Sequence, residues 1–200
     1  MSHRNDRFDW SGGHPALDYV NTLDERPSAS PIERLSTYRD LVRFVELAGL
    51  VEPAIAARLM RLNGRPCTRV LGRARKLREH LHDFLAAAHS GRPARQLDLN
   101  AISVAVRAAH AARRLAASAS SALAAYGWST PSACEIPLHA CSLAIERLLV
   151  DETRSRIRKC GASDCDVYFA DTSKAQLRQW CSMKGCGNRE KQRRWRAEAQ

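Results

Sequence analysis

Apolar residues recur at helical spacing along most of the first 150 positions, and turn residues separate the runs at short intervals. Pro15 suits a first helical position, with Leu17 and Val20 on one face of a short helix. Pro27 and Pro31 then bracket a loop. Two helix starts compete between Ser30 and Leu50. One is Ser30-Pro31-Ile32-Glu33, read as a capping box; the other is Thr37 followed by Asp40, heading Leu41, Phe44, Val45 and Leu47. Gly49 stops the run. Pro53 opens another short helix with Ile55, Leu59 and Leu62 inward, ending near Gly64. Residues 66–89 predict a longer amphipathic helix with the stripe Val70, Leu71, Leu77, Leu81, Phe84 and Leu85. Asp98 or Asn100 caps an alanine-rich helix toward Arg114. Pro137 opens a last helix with Leu138, Cys141, Leu143, Ala144, Leu148 and Leu149 buried.

Helices joined by loops of a few residues imply an antiparallel bundle. The stretch 115–136 is less decided. Its alanines favour helix, whereas Tyr126-Gly127-Trp128-Ser129-Thr130-Pro131 is incompatible with a helix interior and suits a strand or hairpin. The first dozen residues read as a loose arm ending at Ser11-Gly12-Gly13. There is no internal repeat and no low-complexity tract.

Two hundred residues fit one ordinary domain, or one with a small appendage. No apolar run approaches the roughly 20 residues of a membrane span, and the polar N-terminus lacks a signal-like segment, so the expectation is a cytoplasmic protein. Net charge is +11. Its location says more than its size: residues 154–200 hold 12 Lys/Arg and 5 Asp/Glu, a net of +7. Such an excess attracts a polyanion.

The same segment carries Cys160, Cys165, Cys181 and Cys186, spaced C-x4-C-x15-C-x4-C. Two close pairs suit a tetrahedral Zn²⁺ site. Four cysteine ligands close the coordination shell, so one structural ion is expected rather than a catalytic one. An iron–sulfur cluster is the alternative four-thiolate reading. Four thiolates and one Zn²⁺ lower the local charge to about +5. Cys67, Cys134 and Cys141 show no paired spacing and read as packed thiols. Val167-Tyr168-Phe169 is β-prone, Ser173 with Gln176 is a candidate cap for one helical turn, and residues after Cys186 favour helix. The local fold is expected to run first knuckle, hairpin, second knuckle, helix, in a treble-clef-like arrangement. On that helix Arg189, Arg193 and Arg196 share a face, with Trp195 on another. Lys184, Asn188, Arg189, Lys191, Arg193, Arg194 and Arg196 are the candidate nucleic-acid contacts.

The run Trp180-Cys181-Ser182-Met183-Lys184-Gly185-Cys186-Gly187-Asn188-Arg189 resembles the signature of CGNR-type zinc fingers. Lys159-Cys160, Asp164-Cys165 and Phe169-Ala170-Asp171-Thr172-Ser173 fit the same pattern. Such fingers usually follow an ABATE domain, whose opening segment is similar to Leu17-Asp18-Tyr19-Val20-Asn21-Thr22. The resemblance implies a bacterial transcription regulator, often described as stress-induced, with DNA as partner. It also favours a small strand pair around Tyr126–Trp128.

The expected fold is therefore mainly α: an ABATE-like helical domain over 1–150 with a small β-hairpin, and a zinc finger with a basic helix over 155–200. The N-terminal domain would act as sensor of an unknown effector or as a homodimer interface. His14, Asp18 and Asn21 are candidates for a pocket there or for contact with the finger; bracing of a helix end is the favoured alternative. His80, His82 and His89 read as surface histidines. No P-loop, G-x-S-x-G, H-E-x-x-H or dinucleotide fingerprint occurs, so an enzyme is not expected. The competing function classes are a protein-interaction module with a purely structural zinc site, and an RNA-binding accessory factor using Trp180 and Trp195.

Overall fold

The computed structural model describes residues 8–117, 124–130, 132–151 and 156–198. Pro131, Glu152, Arg154 and the residues before Phe8 or after Glu198, on which parts of the sequence reading fall, lie outside them. Among the described residues there are seven α-helices and three two-stranded antiparallel sheets. The chain divides into two compact units, Leu35–Arg147 on one side and Met1–Arg34 with Leu148–Gln200 on the other.

The first unit is helical. Its opening helix, which follows α1 (Pro15–Val20) of the other unit, is α2 (Tyr38–Leu47). Of the two competing starts, only Thr37 is used. Its hydroxyl accepts from the Asp40 N–H, and the Asp40 carboxylate accepts from the Thr37 N–H at 2.6 Å, a complete capping box. The rival at Ser30 does not form, because Ile32–Glu33 pairs as a strand with Leu23–Asp24. Helix α3 (Pro53–Leu59) ends five residues before Gly64, whose φ of 87° serves instead as the N-cap of α4 (Arg65–His89). On α4, Val70, Leu71, Ala74, Leu77, Leu81 and Leu85 are buried, and Phe84 is half-buried. These positions follow the expected stripe.

Helix α5 (Gln96–Ala111) packs on α4. Asp98 is inside its first turn rather than at the cap. It is 1% exposed and accepts from Arg95 Nε at 2.8 Å and from Arg95 NH2 at 2.9 Å. His80 Nδ1 lies 2.9 Å from the same carboxylate. His80 is thus a half-buried partner of Asp98, not a free surface histidine; His89 is exposed as expected. The undecided stretch resolves as a hairpin, β3 (Arg113–Ala117) with β4 (Ala124–Trp128), in the register Leu115 opposite Tyr126. Strand β3 begins one residue after the α5 cap, so the alanine-rich helix stops short of Arg113. Trp128 stacks on the buried His139 of α6 (Ile136–Val150) at 6.3 Å. Cys67, Cys134 and Cys141 are buried.

The second unit is built around the finger. Strand β5 (Ile157–Lys159) pairs with β6 (Tyr168–Ala170), and Met183–Gly187 forms a π-helical turn leading into α7 (Asn188–Glu198). Segment 8–34 packs here. The Ala170 N–H donates to the Gly12 carbonyl at 2.8 Å, and α1 lies against β6. Phe8 is buried, so residues 8–12 are a packed strap and not part of a loose arm.

Candidate metal centre and cationic helix

Cys160 follows β5 directly, and Cys165 lies three residues before β6. The first knuckle is therefore the loop of the hairpin, whereas the sequence reading placed the hairpin between the knuckles. The Cys160 N–H to Val167 carbonyl bond, 2.9 Å, extends the β5–β6 ladder across the knuckle. The second knuckle follows Trp180 and closes on the π-turn. Ser182 caps that turn, its Oγ accepting from the Gly185 N–H at 3.2 Å. The knuckles meet where the Gly161 N–H donates to the Gln179 carbonyl at 2.8 Å. A Cβ at Gly161 would lie 3.3 Å from that carbonyl oxygen, tighter than ordinary contact, so glycine eases the approach.

All four sulfurs lie within 4.8 Å of one another. Cys165 to Cys181 is 3.9 Å and Cys181 to Cys186 is 3.5 Å. Tetrahedral Zn–S bonds of ~2.3 Å require sulfur separations of about 3.8 Å, so the set fits. Its donor chemistry agrees. Hydrogen bonds from the thiols of Cys165 and Cys181 pull Cys160 far below the ordinary thiol value. The Cys160 sulfur in turn pushes Cys165 up to about 12 and Cys181 higher still. Negative charge on one of these sulfurs opposes it on its neighbours, and a divalent cation removes that conflict. Cys160, Cys165, Cys181 and Cys186 form the ligand set of one structural zinc ion, which ties the two knuckles together. The sulfurs also receive N–H donors: Cys181 N–H to Cys160 Sγ at 3.4 Å, and Arg189 NH2 to Cys186 Sγ at 3.2 Å.

Three side chains brace this centre, and cysteine spacing carries no sign of them. Arg178 donates from Nε to the Trp180 carbonyl at 2.8 Å and from NH2 to the Cys181 carbonyl, while its guanidinium stacks 4.4 Å over Phe169. Asp171, wholly buried, accepts from the Ser173 hydroxyl at 2.6 Å, the Ser173 N–H at 3.0 Å and the Arg178 N–H at 2.9 Å. The Ser173 bonds above all hold its carboxyl below the usual range. They also place Ser173 in a turn that ends at Gln176, φ 51°, so the expected helical turn there does not form. Asp164 is the third. It accepts from Arg189 at 3.2 Å and from Arg193 at 2.8 Å. Arg193 also reaches Ser163 Oγ and Glu190, each at 2.6 Å.

The candidate nucleic-acid residues therefore fall into two groups. Arg189 and Arg193 hold the first knuckle. The side chains of Lys184, Lys191, Arg194 and Arg196 are exposed and form no hydrogen bond or ion pair among the described residues. Asn188 donates to the Lys184 carbonyl at 3.4 Å. No residue of α7 is buried, and Trp195 is 77% exposed. Trp180, by contrast, packs against the cluster of Phe169 and the cysteines.

His14, Asp18 and Asn21 hold three different partners. His14 caps α1, its Nδ1 accepting from the Ala16 N–H at 3.1 Å. Asp18 is buried and accepts from the Gly12 N–H at 2.9 Å. Burial pushes its carboxyl up to about 7 against that bond, and the charge of Asp9 adds to the rise. Asn21 pairs with Tyr168 as a strand residue would: its Nδ2 donates to the Tyr168 carbonyl at 2.9 Å and its Oδ1 accepts from the Tyr168 N–H at 3.0 Å. Of the three, only Asn21 lines the cleft of about 640 Å³ beside the knuckles, with Asp9, Asp24, Glu25, Asp164 and Arg189.

Residues 13–152 match the model of the ABATE family, described as a "putative stress-induced transcription regulator". Residues 156–199 match the CGNR zinc finger. These are regulator and zinc-finger families rather than enzyme families. No curated protein matches the chain. Among the described residues no helix is long and apolar enough to cross a membrane.

Proposed function

Because the chain belongs to the ABATE family and carries a CGNR zinc finger, we propose that it is a bacterial, cytoplasmic, zinc-dependent transcription regulator that binds duplex DNA. The finger presents α7 to the nucleic acid. The helical region acts as sensor of a small effector or as the interface of a homodimer, and the regulated genes belong to a stress response. The division of labour follows the sequence expectation, 1–150 for regulation and 155–200 for DNA contact.

The observation that carries this reading is α7 itself: a helix with no buried residue, rooted directly in the closed cysteine centre, with three cations, Lys191, Arg194 and Arg196, that no carboxylate neutralises among the described residues, and a fourth, Lys184, in the turn before it. A helix of that charge, anchored at one end, supplies phosphate contacts without first having to order its backbone. The test is fluorescence anisotropy of the zinc-loaded chain with labelled duplex DNA across a salt series. Saturable binding that weakens steeply with salt is expected; absence of affinity at low salt rejects the reading.

One observation favours the protein-interaction alternative. Asp164 and Glu190 already neutralise the two arginines nearest the metal. Under that alternative, Lys191→Glu with Arg194→Glu leaves duplex affinity at the wild-type level.

A further inference from the structure

Resting on the DNA-binding reading, we infer that α7 reads A·T base pairs through the face Asn188, Gln192 and Trp195, with Lys191, Arg194 and Arg196 as phosphate clamps around it. Arg189 and Arg193 take no part in readout. They are the brace that fixes the helix to the first knuckle.

The brace is a matter of geometry. At about 100° per residue, Arg189, Arg193 and Glu190 occupy one side of α7. That side faces Asp164 and Ser163, to which both guanidinia are bonded. Arg189 also donates to a ligand sulfur, Cys186 Sγ. Taking either arginine to a base edge would strip Asp164 of a charged partner and loosen the knuckle.

On the opposite side, Asn188, Gln192 and Trp195 follow at i, i+4 and i+7, with Lys191 beside them. Arg194 and Arg196 project about 90–110° to either side of this stripe by the same spacing. Lys191, Gln192, Arg194, Trp195 and Arg196 are exposed and have no bonded partner among the described residues. Eleven residues of helix make a rod of about 16 Å, a length and width that the major groove admits.

Side-chain chemistry selects the base. Guanine is most often read by an arginine fork, and the two arginines nearest the anchored end are already engaged. Carboxamides match the donor–acceptor pair of adenine N6 and N7, and an apolar surface suits the thymine methyl group. Gln192 and Asn188 supply the first, Trp195 the second.

The experiment uses the zinc-loaded full chain and 20-base-pair duplexes of equal length, A·T-centred or G·C-centred, with zinc content measured on every variant. The wild type is expected to prefer the A·T duplex by about tenfold or more. Gln192→Ala and Trp195→Ala each lower A·T affinity by about tenfold and leave zinc content unchanged. Arg193→Ala and the milder Arg193→Lys lower the thermal midpoint of the finger and keep the A·T preference. Duplex binding without A·T preference overturns the inference. So does wild-type affinity in Gln192→Ala and Trp195→Ala when Arg193→Lys loses the preference. A wild type that binds neither duplex rejects the DNA reading itself, a result distinct from both.

Discussion

Asp18 shows how one buried carboxyl decides local stability. Its carboxyl sits at about 7 when folded and at 3.8 when exposed. The folded chain therefore binds the extra proton between those values. This contribution is full below about pH 4 and is lost as pH rises through 7. Asp18→Asn keeps an acceptor for the Gly12 N–H and cannot ionise. In denaturant unfolding of zinc-saturated protein, the variant is expected to gain on the wild type from pH 5 to pH 8, by a few kcal/mol at the upper end. A difference that stays constant with pH refutes this. Gly12 is constrained by the same contact: an added Cβ would sit 2.6 Å from Asp18 Oδ1 and 2.9 Å from the Asp18 nitrogen. Gly12→Ala is expected to cost about 1–3 kcal/mol in the same assay. Asp18, Asn21 and Gly12-Gly13 stand out in the sequence as a polar cluster after glycines. That Asn21 completes the backbone pairing of Tyr168, 147 residues away, leaves no local signal.

The elements divide by what forms them. Helix α2 rests on period and cap, and α4 on period, which is why their burial follows the sequence pattern. The finger rests on ligands. Zinc binding contributes roughly 10–16 kcal/mol to modules of this size. Stripping zinc with a strong chelator should therefore expose residues 160–198 to protease while most of the helical circular dichroism persists, because α2 to α5 lie in the other unit. Retention of an intact finger after stripping would contradict a structural ion. Arg178→Ala removes two carbonyl bonds and a ring contact at the second knuckle. Zinc affinity is expected to fall about 10–100-fold, measured by transfer to a chelating dye. An unchanged transfer rate would mean the clamp is dispensable. The failed start at Ser30 has a plain cause. Its capping-box pattern is local, while Ile32–Glu33 found a strand partner at Leu23–Asp24.

At the scale of the molecule, net charge is the quantity to test. If only Lys184, Lys191, Arg194 and Arg196 meet phosphate, the slope of log affinity against log salt should lie between about −3 and −4. If Arg189 and Arg193 joined them, it would approach about −5. A titration of anisotropy against salt separates the two. The cysteine spacing, the basic tail and the helical periods were legible in the sequence because each depends on residues close in the chain. Ligand pairs four apart, caps three apart and apolar stripes at period 3.6 need no tertiary partner to be recognised. Three things were decided only by the tertiary structure. Segment 8–34 packs on β6, joined to it through Asn21 and Gly12. The first knuckle became the loop of the β5–β6 hairpin. Asp164 claimed Arg189 and Arg193, so of the arginine row visible in the sequence only Arg196 has no ion pair among the described residues. The physical reason is common to all three. A carboxylate, a carboxamide or an unpaired strand edge finds its partner by proximity in space, and pairings that span 9 to 13 positions in the hairpin, 25 to 29 at Asp164 and 147 to 158 at Asn21 and Gly12 are not written in the spacing of ligands, caps or stripes.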